Sequence, residues 1–433
     1  MDSLDRVAPS CEVVTREISR DVYRNPESRH QTEVEPDTAA AGSTVVAAFQ
    51  VGRIFDGGAA NIGFAVSRNR GRSWQRGLLP GLTPFSRPAG SWARASDPTV
   101  AYDARHHAWL VASLLFGSEG SALGVSRSLD GVHWSRPLIA RLAPSSRGET
   151  LLDKPWIGCD DWVSSPFRGH CYLSYSDLVS AQIVTQVSTS GGLSWAPPVS
   201  GPGLPGHGSV VGAYAPGVQI AVRPDGRVVI PYFDETQLSQ VSSTDGGASW
   251  SAATPVAPAR YVDHRGFRAA PLPSAAVDRA GTIYVAWADC SARPGCAAND
   301  IVVTHSTDGT SWSAPARVPT GAPDAELPGL AADPGAAGRL ALAYYVLRGG
   351  TRLDVGFVSS ARGGARWTRP QRLDSRSFPL SWIAPTSQGA MVGDYISTSF
   401  AGGRAVPVFA LATKPRGSDL REAMFATSLA VGH

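Results

Sequence analysis

SSTDGGASW, Ser242–Trp250, sets one acid, two glycines and a tryptophan between two apolar runs. The stretch is not unique. SRNRGRSW ends at Trp74, SLDGVHW at Trp134, STSGGLSW at Trp195, STDGTSW at Trp312 and SARGGARW at Trp367. The tryptophans follow one another at intervals of 55 to 62 residues. A repeat of that period, filling most of a 433-residue chain, argues for one closed array in which each unit buries its faces against its neighbours.

Around each turn the order is the same. In one unit the small-residue run PSAAVDRAG (273–281) is followed by TIYVAWAD (282–289), DIVVTHS (300–306) and SWSAPARV (311–318). β-Branched and aromatic residues dominate the middle runs, and no stretch sustains a helical period. Four short strands per unit, repeated around an axis, predict an all-β chain folded as a β-propeller. After Trp367 the chain supplies three more strands, MVGDYISTSF (391–400), AVPVFALA (405–412) and EAMFATSLAV (422–431). CEVVTREIS (11–19) is a strand without a repeat of its own. Its economical place is as the fourth strand of the last blade, closing the ring and removing both sheet edges. That predicts seven four-stranded blades, with six as the alternative, in a single domain over residues 11–433 behind a disordered tail, 1–10.

Composition narrows the partners. A net charge of +3 without a basic run gives no case for nucleic acid, and no apolar stretch has the roughly 20 residues of a membrane-spanning helix. Cys159 and Cys171 flank one short loop and Cys290 and Cys296 another. Neither spacing is that of a zinc pair. Each pair either staples a hairpin as a disulfide or stays reduced and buried; Cys11 is left over. Two disulfides would imply an exported, extracellular protein, although MDSLDRVAPSCEVV at the N-terminus carries no signal-peptide core. A monomer is expected.

The repeated turn resembles the Asp-box, or BNR repeat, of the sialidase superfamily. The resemblance covers six full or partial matches across residues 67–367. In such boxes the acid caps backbone N–H groups of a tight turn, glycine takes positive φ, and the tryptophan fills the gap between sheets. The acid varies here, Asp245 and Asp308 but Asn69, Ser190 and Arg362. The turn is therefore architecture, and chemistry belongs at the other end of the blades.

A second register marks that end. Inner strands begin near Pro36, Pro98, Pro155, Pro216, Pro273 and Pro328, where proline costs no ladder bond. The residues just before them should ring the channel mouth: TEVEP (32–36), ASDP (95–98), LDKP (152–155), AYAP (213–216), APLP (270–273) and AELP (325–328), with VGDY (392–395) in the composite blade. Candidate catalytic residues are Glu33, Glu35, Asp56, Asp97, Asp153, Asp394 and Tyr395. Candidate substrate-binding residues are His30, Arg53, Lys154, Trp156, Tyr214 and Glu326. Acids crowded in a low-dielectric funnel raise one another's pKa, which suits acid/base work and costs stability. Replacing Glu35 or Asp394 by its amide should then leave the melting temperature unchanged or higher.

Sialidases clamp the sugar carboxylate with an Arg-Ile-Pro in the first blade and two further arginines; a Tyr/Glu pair is nucleophile and an Asp is acid/base. By that resemblance Asp56, in GRIFDGGAANIG (52–63), takes the place of the Asp, and Tyr395 with Glu33 or Glu35 forms the couple. Val34-Glu35 precede the first-blade proline, so the clamp arginine is absent in that register, and YRNP (23–26) lies upstream of it. The resemblance implies a sialidase-like glycoside hydrolase needing no cofactor. The alternative is a non-catalytic propeller binding glycan or protein, with a cation such as Ca2+ in the acidic ring.

Overall fold

The computed structural model describes residues 13–203 and 217–431, so Cys11, Tyr214, Pro216 and the tail 1–10 lie outside the described residues. The chain is all-β and forms a β-propeller, each sheet an antiparallel meander. Glu33–Ala41, Thr44–Arg53, Ala59–Ser67 and Gln75–Leu78 pair in chain order. Arg94–Asp103, Ala108–Gly117, Gly120–Ser128 and Leu138–Pro144 do the same, and the two sets touch through one bridge, Ala59 with Ala95. Separate four-stranded sheets follow from Leu152–Cys159, from Ala221–Val222 and from Ser274–Val277, and a further one opens on Ala325–Ala332. Each inner strand packs beside the next, and the last, Ser397–Ala401, returns to the first.

Closure uses the two ends of the chain. Arg16–Glu17 lies antiparallel on Glu422–Ala426, Arg16 opposite Ala426, at the outside of the sheet that Ser397–Ala401 begins. The N-terminal strand thus covers an edge that would otherwise be left open. Cys159 is bonded to Cys171, directly opposite it across two neighbouring strands, and Cys290 to Cys296. Among the described residues no helix is long and apolar enough to cross a membrane.

The repeated turn is a hydrogen-bonded cap. Asp245 Oδ1 accepts from the Ser249 N–H (3.0 Å), and Ser243 Oγ accepts from the Gly247 N–H (2.9 Å) with Gly247 at φ +89°. Asn69 and Ser190 make the same bond, to the N–H of Ser73 and of Ser194 (2.9 Å each). Any short acceptor suffices, which is why the acid can vary. Arg362 offers none, and there Ser360 alone takes the N–H groups of Arg362 and Gly364. Asp245→Ala should cost about 1 kcal/mol in urea unfolding, the loss of one cap.

The turn tryptophans are less buried than full gap-fillers would be. Trp74, Trp134, Trp195, Trp250, Trp312 and Trp367 are all half-buried, at the margin of the core. In two of them the indole N–H holds the ring at its own turn, Trp74 donating to the Gly71 carbonyl and Trp134 to that of Gly131 (3.1 and 3.0 Å). Trp250→Ala is therefore expected to cost about 2 kcal/mol, below the 3–5 of a fully buried aromatic. Chemical denaturation checks this directly.

Candidate active site at the propeller mouth

Four of the inner strands share one irregularity. Their ladders shift between Val34 and Asp37, Ser96 and Thr99, Asp153 and Trp156, and Glu326 and Gly329. In each case the residue before the proline is left-handed: Glu35 at φ +60°, Asp97 at +46°, Lys154 at +49° and Leu327 at +49°. A non-glycine residue in that region costs about 1–3 kcal/mol, and a bulge re-aims the side chain it carries. The same strained device is used four times, and three of its four side chains are ionisable.

Those three meet. Lys154 Nζ is ion-paired with Asp394 Oδ2 and lies 3.8 Å from Asp97 Oδ2, which has no well-aligned hydrogen bond of its own. Arg268 grips Asp394 from the other side, Nε to Oδ1 at 2.6 Å and Nη2 to Oδ2. Asp394 N–H points at Glu35 Oε1 (3.3 Å), and Gln50 Nε2 donates to Glu35 Oε2 and to Ser96 Oγ (3.2 Å). Ser96 Oγ in turn donates to Asp97 Oδ1 (2.7 Å), and Lys154 N–H to Asp153 Oδ1 (2.8 Å). Gly393, at φ +141°, lets the last blade approach: a Cβ there would lie 2.6 Å from Glu35 Cα.

Above this cluster is a cavity of about 660 Å3, lined by Arg53, Asp56, Asp97, Asp153, Lys154, Arg268 and Asp394 among others. A smaller one of about 130 Å3, holding Asp37, Trp156 and Tyr395, continues along the axis. Burial raises Glu35 to about 8 and Asp153 to about 7, the Asp97 charge adding to both. Burial alone would raise Asp97 too, but the Lys154 ammonium and Ser96 hold it below its ordinary value. Asp394 is held far lower by Arg268 and Lys154 against the same burial. Burial lowers Arg53 to about 10, still cationic. Three cations, Arg53, Lys154 and Arg268, are interleaved there with the ionised carboxylates Asp97 and Asp394, and Asp56 and Asp263 line the same cavity. The mouth is therefore mixed in charge, with cations set among its acids, and not the acidic ring expected from the sequence.

Several candidates stand elsewhere. Glu33 is buried beside Ser19 and Asp21, one position out of the inward register, and is pushed well up by burial. His30 lies by Leu420, whose N–H its carbonyl accepts, and does not line the cavity. Trp156 packs edge-on to Tyr395 (centroids 5.2 Å apart) in the channel below rather than as a platform in the mouth. Tyr395 OH donates to the Pro98 carbonyl (3.0 Å), with no carboxylate as base. Asp56 is on the rim, paired with Arg94 (2.6 Å), whose hydrogen bond holds it below its ordinary pKa. Glu326 turns to Asn299 and His264 (2.7 and 2.8 Å), because Leu327 takes the inward position in that blade. Tyr214 is outside the described residues.

Arg268 was not legible as a site residue. It stands in DHRGFRAAP (263–271), upstream of the proline window, in a chain where arginine is the default cation. Gln50 was missed as well; its position across the ladder from Val34 was the available signal.

No protein-family model and no curated protein matches the chain. Solved structures do. An ulvan lyase of polysaccharide lyase family PL25, bound to -[GlcA(1-4)Rha3S]-, is 11% identical at a TM-score of 0.54, over 94% of this chain and 97% of that one. The leech intramolecular trans-sialidase is 14% identical at a TM-score of 0.49, over 85% of this chain and 71% of that one. The α-L-arabinofuranosidase from Fusarium graminearum is 12% identical at 0.49, over 96% and 97%. At these identities the ulvan lyase supports the propeller fold and nothing finer.

Proposed function

We propose that the protein is a glycan-active enzyme of sialidase-like type, a glycoside hydrolase whose substrate carries an anionic group. We read the sheets as seven four-stranded blades of Asp-box type, the set from Arg94 on being a blade of its own, in one domain. The two disulfides support an extracellular location.

One observation carries the reading: a 660 Å3 cavity combines a protonated acid, Asp153, an ionised one, Asp97, and a cationic wall of Arg53, Lys154 and Arg268. The wall attracts an anionic sugar, Asp153 gives its proton to the leaving oxygen, and Asp97 stabilises or attacks the developing cation. The ulvan lyase, a fold neighbour, binds a glucuronic-acid glycan, in keeping with an anionic ligand. A binding-only reading has its own support, since the Arg268 fork and both Asp394 oxygens are already committed to each other.

Chromogenic sialosides and uronic-acid polysaccharides, assayed for new reducing ends, decide between them. Turnover without an unsaturated product marks hydrolysis; saturable binding without turnover establishes the second reading. Arg268→Lys, which keeps the charge and loses the fork, should raise KM about tenfold with little change in kcat.

A further inference from the structure

The geometry points to a second ligand site, beside the mouth, in which His264, Asp324 and Glu326 take one borderline divalent cation such as Zn2+. His264 Nε2 stands 2.8 Å from Glu326 Oε1 and 3.0 Å from Asp324 Oδ2. One donor atom from each residue falls within 4.8 Å of the others. At such short range a ring N–H would normally align on one oxygen. Nε2 is buried and makes no well-aligned bond with either, so the ring edge is directed between the two. A ring nitrogen without a well-aligned partner, met by one oxygen from each of two carboxylates, is an arrangement a cation completes.

The surroundings hold that arrangement in place. Asn299 donates from Nδ2 to Glu326 Oε1 (2.7 Å) and from its backbone to Asp324 Oδ1 (2.9 Å). Asn299 Oδ1 accepts from Val262 N–H (2.9 Å), and Nδ2 also donates to the Val262 carbonyl (3.0 Å), which ties down the segment carrying His264. One side chain thus orients donors from two separate stretches of chain, the role played by outer partners in metal centres.

The donor set selects the ion. Ca2+ and Mg2+ take oxygen, whereas one imidazole with two carboxylates suits Zn2+ or Mn2+. Ligands at about 2.0–2.2 Å from tetrahedral Zn2+ stand roughly 3.3–3.6 Å apart, so the two His264 contacts, at 2.8 and 3.0 Å, need lengthen by less than about 1 Å. Two negative carboxylates and a neutral ring would balance the charge, leaving a coordination position for water or substrate. Asp263, the neighbour of His264, lines the mouth cavity. A cation here adds positive charge beside it. The inference does not depend on the proposed activity.

Chelator-treated protein titrated calorimetrically with Zn2+, Mn2+ or Ca2+ tests it, with thermal unfolding in parallel. One equivalent of Zn2+ should bind and raise the melting temperature. Affinity should fall at least about a hundredfold in His264→Ala and in His264→Gln, and about tenfold in Asn299→Ala. The glutamine variant keeps a polar side chain and decides the matter where the alanine variant does not fold. His133→Ala, at an exposed histidine that also pairs with an aspartate, should change nothing. Absence of saturable Zn2+ binding, binding that survives both His264 variants, or Ca2+ bound as tightly as Zn2+ would overturn the assignment.

Discussion

Asp394→Asn is expected to lose about 3–5 kcal/mol of stability, while Glu35→Gln, one hydrogen bond away, is expected to lose nothing. The two acids differ in what they neutralise. Asp394, 4% exposed, is the counter-charge of Lys154, 8% exposed, and of Arg268. An amide there leaves two largely buried cations with too little negative charge, the costly half of a broken buried pair. Glu35 has no such cation in contact, and its folded pKa is about 8. The folded state therefore holds its proton where the unfolded chain, with an ordinary value near 4.3, has lost it. That acid's contribution falls as pH rises from about 4.3 to about 8, so Glu35→Gln should gain on the wild type across that window. Urea unfolding at pH 5 and pH 8 measures both effects. Equal stability of the two amide variants at pH 7 would contradict the account. Treating all the mouth acids as mutually repelling, as the sequence suggests, predicts equality; the pairing with Lys154 and Arg268 breaks it.

The contrast shows what a sequence can carry here. Architecture was legible because it is periodic: SSTDGGASW and its five relatives mark the turns, and the prolines mark the inner strands. The N-terminal strand's place on Glu422–Ala426 followed from a strand count. Aim was not legible. At the bulges the residue next to proline turns inward, so Glu35, Asp97 and Lys154 reach the axis while Glu33 and Glu326 do not. Nothing in TEVEP or AELP announces a left-handed residue before proline, a conformation that local propensity disfavours. Tertiary packing imposes it. Arg268 was missed for a related reason: it reaches the mouth from a connecting loop, not from the strand register, and it approaches Asp394 across 126 residues of chain.

Asp153→Asn should reduce kcat by about a hundred- to ten-thousandfold, the usual contribution of a general acid, without loss of fold. Asp153 lines the cavity and titrates near 7, so it carries its proton through the mildly acidic range, and asparagine mimics that neutral form in shape. Asp97, below its ordinary value, stays ionised over the same range. One neutral and one charged carboxyl lining one cavity is the division of labour that glycoside cleavage uses. The sign of the pH dependence follows. Activity should fall as pH rises through about 7, where Asp153 loses its proton, and should fall on the acid side only below the ordinary carboxylate range, where Asp97 gains one. Substrates whose leaving group is a good one, such as a nitrophenol, need less help from an acid. The Asp153→Asn deficit should shrink on them and stay full on a natural glycoside. A uniform deficit on both substrates would make Asp153 a positioning group, and unchanged turnover would remove acid catalysis from this cavity. A profile with its alkaline limb unmoved in the variant would assign that limb to Glu35, the other acid raised into this range, acting from behind Asp394.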